Sequence, residues 1–350
     1  MSTIYDVARE ANVSPKTVSR VINGDAPVGK ETRARVERAI EKLDYVPSNA
    51  ARMMRSSKSG LIGMITGAIS NTPEPGEPTG LPDIYIVQGI LRTIAARNMT
   101  LMIADTGGRS EKVEDLVRTF MQHKVEGLIY VADYHRCVDF DASAADCPVV
   151  LANCYDTKGT PCIIPDDRAC QRALVERLIA HGHRRIGYLT LDGSMDAVGL
   201  RVAGYRDALE AAGLPFDPDL VRAGFGEVHQ PHTASVLGPA LEGLLALDAP
   251  PTVICCGNDE MALRLYGLLR TRGLRLPEEI SVAGFDNYRA IAETLLPPLT
   301  TVELPYRKMG ERAAARLLGL IDGQEEKPRE PVLVPGPVVW RSSVIAQPAS

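Results

Sequence analysis

The sequence predicts an α/β protein with a small all-helical head and a larger core of parallel sheets covered by helices on both faces. Three observations carry this. Residues 3–23 contain two short amphipathic patterns around a tight turn, each with its own start signal. From Gly60 onward, apolar strand-like runs alternate with helical patterns. Charge divides along the same line: residues 1–60 hold 11 Lys/Arg against 7 Asp/Glu, and the remainder holds 28 against 37. A basic head on an acidic body suits a polyanion reader whose body avoids phosphate.

In the first helix Ile4, Val7, Ala8 and Ala11 form one apolar stripe, and Thr3 with Asp6 makes a capping box. Asn12-Val13 is the turn. Ser14 is an N-cap, and Pro15 is tolerated at the first helical position because its missing N–H has no partner there. In the second helix Val18, Val21 and Ile22 face inward. Pro15, Lys16, Ser19, Arg20 and Asn23 form the opposite face. Arg and Lys donate to guanine and Asn pairs with adenine, so this face suits the major groove; on an isolated helix pair it would equally be a solvated surface. A third helix over 30–43 buries Val36, Ala39, Ile40 and Leu43. A basic segment with Arg52, Arg55 and Lys58 and no acid follows within 47–60.

In the body, strands are expected at 61–66, 100–105, 127–132, 149–153, 186–191, 252–257 and 280–286. Helices are expected at 84–98, 111–123, 168–181, 201–213, 238–247 and 259–273. This alternation is long enough for two parallel sheets, with a ligand cleft at the strand carboxyl ends. Residues 67–82 form a loop rich in Pro and Gly bordering the cleft mouth. It is either a ligand-shaping loop or an insertion without a role.

No phosphate-binding loop, dinucleotide fingerprint or nucleophile elbow is present, and no acid–base pair stands out, so no catalytic residue is assigned. The seven cysteines are odd in number and lack C-x-x-C spacing, which reads as reduced core residues. His181, His183, His229 and His232 lack metal-ligand spacing, and His183 reads as a packed histidine. No metal or cofactor is expected. No apolar run approaches the ~20 residues of a membrane span. The N-terminus has no signal region, so a cytoplasmic protein with no membrane partner is expected.

Taken together, "TIYDVAREANVSPKTVSRVING", "ETRARVERAIEKLDYVPSNAARMMR", "GHRRIGYL", "RVAGYRDAL", "GNDEMA", "ISVAGFDN", "PPLTTVELP" and "VVWRSS" resemble, in order, the LacI/GalR family of bacterial transcription regulators. The resemblance covers essentially the whole chain. It implies a helix-turn-helix DNA-binding head over 1–46, a hinge helix and linker over 47–60, and a periplasmic-binding-protein-like core over 61–341. The core would comprise subdomains 61–163 plus 292–324 and 164–291 plus 325–341, leaving a tail at 342–350. The chain would cross between subdomains near 165–167, 285–296 and 323–331.

The resemblance implies DNA contacts from Tyr5, Ser14, Pro15, Lys16, Thr17, Ser19, Arg20 and Asn23. Asn49, Ala51 and Arg52 join them in a hinge helix that folds only on operator DNA, with Met54, or Met53 beside it, as a minor-groove wedge. It also implies effector contacts from Arg201, Asp259 and Asn153, with Phe225 as an apolar platform. By residue type alone, Asp259 reads equally as a helix cap and Arg201 as a salt bridge between elements.

The family usually carries Asn-Pro-Phe-Phe after the first strand, and loop 67–82 lacks it, so effector identity does not carry over. No leucine heptads follow Trp340-Arg341-Ser342-Ser343, so a homodimer on a pseudo-palindromic operator is expected. The expected function is repression of carbohydrate-utilisation genes under control of a sugar-type effector. The alternatives are a purine or nucleoside effector, or a protein partner. A solute-binding transport protein would need a signal peptide and no DNA head, and an enzyme with an appended helical domain would need a nucleophile or metal set.

Overall fold

The computed structural model describes residues 2–24, 28–45, 58–67, 69, 83–225, 236–324 and 330–348. Two compact units emerge, Met1–Gly60 and Leu61–Ser350.

The first unit holds α1 (Ile4–Glu10), α2 (Pro15–Asn23) and α3 (Lys30–Lys42). Thr3 Oγ1 accepts from the Asp6 amide, and the Asp6 carboxylate accepts from the Thr3 amide at 2.9 Å, which completes the capping box. The Thr3 hydroxyl, which donates to the Asp6 carboxylate at 2.6 Å, and after it the Thr3 amide hold Asp6 below the usual carboxylate range. Ser14 Oγ accepts from the Thr17 amide at 3.1 Å to start α2, and Gly24, at φ 70°, ends it in the left-handed conformation that glycine adopts without strain. Val7, Ala8, Ala11, Val18, Val21, Val36, Ala39 and Tyr45 make the core.

The second unit contains two six-stranded sheets. The first has the order β11-β5-β4-β3-β1-β2, from β1 (Leu61–Thr66), β2 (Thr100–Asp105), β3 (Gly127–Cys137), β4 (Val149–Tyr155), β5 (Cys162–Pro165) and β11 (Val332–Val334). The second has the order β12-β10-β9-β8-β6-β7, from β6 (Ile186–Thr190), β7 (Val221–Ala223), β8 (Val253–Cys256), β9 (Ser281–Asp286), β10 (Thr300–Glu303) and β12 (Val338–Val339). All pairs are parallel except β10 with β12. The strands read as continuous apolar runs because helices cover both faces.

Helices α4 (Asp83–Ala95), α5 (Val113–Gln122) and α11 (Tyr306–Ile321) pack in the first subdomain. A Cβ on Gly89 would overlap the Arg307 carbonyl and one on Gly310 the Ile86 carbonyl, so glycine at both places lets α4 and α11 lie in close contact. Helices α6 (Asp167–Ala180), α7 (Asp196–Ala211), α8 (Leu237–Leu245), α9 (Asp259–Thr271) and the single turn α10 (Arg289–Ala292) belong to the second.

The chain passes between sheets three times. The first passage follows β5 at Pro165, as the sequence suggests. The second follows Glu303, later than the expected 285–296, because β10 completes the second sheet before the chain turns into α11. The third lies between Val334 and Val338, beyond the expected 323–331, because β11 first adds to β5. The passages are stitched side by side: the Asp166 amide donates to the Val334 carbonyl at 3.0 Å, and the Glu303 amide to the Pro337 carbonyl at 2.9 Å.

His183 is packed as expected. It is fully buried, with Nδ1 2.8 Å from Thr252 Oγ1 and Nε2 3.1 Å from the Ile345 carbonyl, and burial pushes its pKa down to about 4. All seven cysteines are free thiols. Five are buried and Cys147 is half-buried against the apolar cluster around Phe120 and Val149, but Cys137 is exposed at the end of β3 and is not a core residue. Among the described residues no helix is long and apolar enough to cross a membrane, and no cluster of His, Cys, Asp and Glu could hold a metal ion.

Candidate functional site

On the head, the packed faces of α1 and α2 leave a polar surface. Lys16 and Arg20 are exposed on α2, with Pro15, Thr17 and Ser19 partly exposed beside them. Tyr5 is 67% exposed on α1. Ser14 is committed to capping α2, since its hydroxyl also lies 2.9 Å from Thr17 Oγ1. Asn23 closes the helix, and its side chain lies outside the described structure, as do Asn49, Ala51, Arg52, Met53 and Met54. The face carries Lys16 in the first turn of α2 and Arg20 in the last, with no carboxylate on the helix.

In the second unit, carboxyl ends of strands from both sheets face one another. Arg201, on α7, is 4% exposed. Its Nε donates to Asp167 Oδ1 at 2.7 Å, its Nη1 donates to the Gly257 carbonyl at 2.7 Å, and its guanidinium lies 3.6 Å from the Phe285 ring centre. The expected alternative of a salt bridge between elements is therefore realised, joining α7 to the start of α6. Asp167 Oδ2 lies 2.9 Å from His135 Nδ1. His135 reaches this point because β3 runs on past its regular pairing with β4, with a register break between Val131 and Arg136. Burial alone would raise Asp167, but Arg201 and His135 outweigh it and hold the carboxyl below its ordinary range.

Asn153 lies within β4, two residues before its end, and takes the left-handed region at φ 59°, a conformation asparagine tolerates. It is 2% exposed, and its Nδ2 donates to the Ala132 carbonyl at 3.0 Å, so its amide is spent on joining β4 to β3.

Asp259 is fully buried at the first turn of α9, and the preceding Asn258, not Asp259, caps that helix. Thr301 Oγ1 donates to Asp259 Oδ1 at 2.7 Å, and the Tyr288 amide donates to Oδ2 at 2.7 Å. Burial pushes its pKa up to about 7. Asp259 thus fastens the turn after β9 to β10 from beneath.

What it fastens is a carboxylate the sequence reading passed over. Asp286 ends β9 at φ 118°, a strained backbone for any residue but glycine. Its carboxylate makes no hydrogen bond or ion pair to a described residue. Low-dielectric surroundings and the nearby Asp259 push its pKa well above the usual range. It opens on a cavity of about 240 Å³ between the subdomains, lined also by Tyr85, Tyr288, Glu303, Tyr306 and Arg307. Phe225 is not in this wall. It is 7% exposed within the apolar cluster of the second subdomain, with Arg264 near its ring. Asp286 stands within "ISVAGFDN", and the available signal was a carboxylate closing an otherwise buried strand.

The Asp286 carboxyl and the rings of Tyr85, Tyr288 and Tyr306 line the cavity, an arrangement that can hold a hydroxyl-rich ring, and Arg201 lies outside that lining. The chain matches the model of bacterial regulatory proteins of the lacI family over residues 3–48 and a periplasmic binding protein-like domain over 175–344. It is 31% identical to the ribose operon repressor of Haemophilus influenzae, over 98% of both chains. It is 32% identical to the HTH-type transcriptional repressor PurR of Vibrio atlanticus, over 98% of this chain and 99% of that one. Among solved structures, the lac repressor dimer bound to operator and the anti-inducer ONPF superposes with a TM-score of 0.76 at 29% identity, covering 99% of both chains. By its ordered motifs, its two sheets and its similarity to these repressors along almost its entire length, this chain belongs to the LacI family of bacterial transcriptional regulators.

Proposed function

We propose that the protein is a repressor of carbohydrate-utilisation genes whose grip on a pseudo-palindromic operator is controlled by a small sugar-type effector in the cleft. The observation that carries the effector reading is the backbone-strained Asp286, which opens on an inter-subdomain cavity and feels the charge of the buried Arg201. Asp286 contacts the effector, Asp259 positions the turn that carries it, and Arg201 lies buried behind it. The head, about residues 1–46, reads the major groove with Tyr5, Pro15, Lys16, Thr17, Ser19, Arg20 and Asn23. Asn49, Ala51, Arg52 and Met54, in a hinge over 47–60, enter the minor groove.

The working unit is a homodimer in the cytoplasm, because a two-fold operator requires two heads. No catalytic step is part of this function. Effector binding would shift the balance between two subdomain arrangements, by no more than its differential affinity for them.

A thermal-shift screen of the full chain against sugars, sugar acids, sugar phosphates and purines tests this, since a cleft ligand stabilises by mass action. Hits are then assayed for operator release or capture by fluorescence anisotropy. Hits confined to purines would overturn the sugar assignment. Stabilising sugars with no effect on operator affinity would overturn control through the cleft.

A further inference from the structure

We propose that the cleft ligand carries an anionic group, a carboxylate or a phosphate on a hydroxyl-rich ring, and that Arg307 is the cation that anchors it. The inference rests on the reading of this cavity as the effector site.

The charges around the cavity carry the argument. Its lining holds two guanidinium groups, Arg289 and Arg307, and two carboxyl groups, Asp286 and Glu303. Arg289 is engaged elsewhere, donating to both oxygens of Glu293 at 2.7 and 3.1 Å. Glu303 Oε2 accepts from Asn287 Nδ2 at 2.9 Å, and the Glu303 charge bears on Arg289. Asn287 in turn accepts from Arg341 Nη2 at 2.8 Å, and Arg341 lies 3.6 Å from Glu293. Glu293 and Glu303 therefore sit in one network with Arg289 and Arg341, two charges of each sign. Asp286 adds no full charge to that balance. Burial, and Asp259 beside it, push its pKa well above the usual carboxylate range, which favours the neutral, proton-donating form.

Arg307 is the charge left over. Among the described residues its partners are neutral: the Gln88 side-chain oxygen, at 3.2 Å from Nη2, and the Tyr85 ring, whose centre lies 5.8 Å from the guanidinium carbon. No acidic residue stands in the first turn of α11 beside it, and Glu311, one turn on, lies 3.7 Å from Arg92 instead. One bond to Gln88 leaves most of the guanidinium donors for a ligand, and their planar fork matches a carboxylate or phosphate. Arg307 belongs to the first subdomain and Asp286 to the second. A ring that sets its anion on Arg307 and its hydroxyls on Asp286 therefore touches both walls of the cavity. A neutral sugar makes the same contacts with Asp286 and the tyrosines but leaves the charge of Arg307 unanswered, and that difference is where the selectivity lies.

The experiment titrates the full-length protein by thermal shift and calorimetry with matched pairs, glucose and glucuronate, galactose and galacturonate, ribose and ribose 5-phosphate, and with inorganic phosphate alone. The charged member of a pair is expected to bind about tenfold more tightly than its neutral twin. The gap should narrow as salt rises, because Arg307 is exposed and its charge is screened. Arg307→Gln should bring the two members to equal affinity, and Arg307→Lys should keep part of the gap. Lys308→Gln removes an exposed cation next door that is outside the lining, and should leave the gap whole. A gap in the uronate pairs alone, or in the phosphate pair alone, supports the proposal and names the anion.

Neutral sugars that bind the wild type as tightly as their charged twins would overturn the proposal and leave the effector reading intact. So would a charge preference that survives Arg307→Gln, or one that Lys308→Gln removes equally. Binding of inorganic phosphate with no sugar of either kind, lost in Arg307→Gln, would sink the sugar reading while the anchor stands. If no sugar acid or sugar phosphate stabilises the protein, the proposal fails; if no neutral sugar does either, the effector reading fails with it.

Discussion

The Tyr155 hydroxyl, at the end of β4, donates to the Asp196 carboxylate, at the start of α7, across 2.9 Å and from one subdomain to the other. Burial, with Asp196 beside it, pushes the Tyr155 pKa up to about 12, so the phenol stays a donor at any physiological pH. Tyr155→Phe removes one cross-cleft bond, worth about 0.5–1.5 kcal/mol. Hydrogen exchange should quicken at residues 134–137 and 194–200 while the sheet cores keep their protection. Unchanged exchange at both segments would show that this bond does not hold the subdomains together.

On the head, Lys16→Ala and Arg20→Ala should each cost roughly 1–3 kcal/mol of operator affinity and relax base preference at one position per half-site. Anisotropy titrations against an operator and against scrambled DNA separate this from a phosphate contact, which would weaken both alike. Undiminished affinity in both variants would remove α2 as the reading helix.

Asp259 gives a pH dependence of defined sign. Its folded pKa of about 7 lies above the ordinary carboxylate value, so the folded state holds this proton more tightly than the unfolded chain does. The stability from this group is therefore complete below about pH 4 and lost as pH rises through about 7. Asp259→Asn should flatten the fall in melting temperature between pH 4 and 7 relative to the wild type. A parallel pair of curves would mean that Asp259 does not carry this proton.

Gly284 lies against Asp259. A Cβ at this position would overlap the Asp259 carboxylate and crowd Leu299. Gly284→Ala should destabilise the core by about 1–3 kcal/mol through overpacking and should loosen the turn carrying Asp286. Urea unfolding measures the first effect. A drop in affinity for any sugar found by the screen, larger than stability loss alone explains, measures the second.

The head was legible almost residue by residue, because capping and helical periodicity are local: Thr3, Asp6, Ser14 and Pro15 do in the structure what their chemistry suggests. The strand–helix alternation was legible for the same reason. The second and third passages between sheets were not, since β10, β11 and β12 are short and their sheet membership depends on distant partners. At the cleft, Arg201 stood out, but Asp259 and Asp286 look alike in sequence, each a carboxylate just after a buried strand. Only the packing distinguishes the one sealed under Thr301 and Tyr288 from the one that opens on a cavity. His135 and Asp167 gave no local signal, because their pairing depends on β3 outrunning its partner.

The three passages between the sheets lie bonded edge to edge, from Asp166 to Val334 and from Glu303 to Pro337. Three straps fixed along one seam resist both sliding and twisting, and leave folding about the seam as the one compliant direction. Whatever molecule occupies the cleft can then speak to the rest of the protein only as an angle. Two ligands that produce the same angle are indistinguishable downstream, and a tight binder that leaves the angle unchanged is silent.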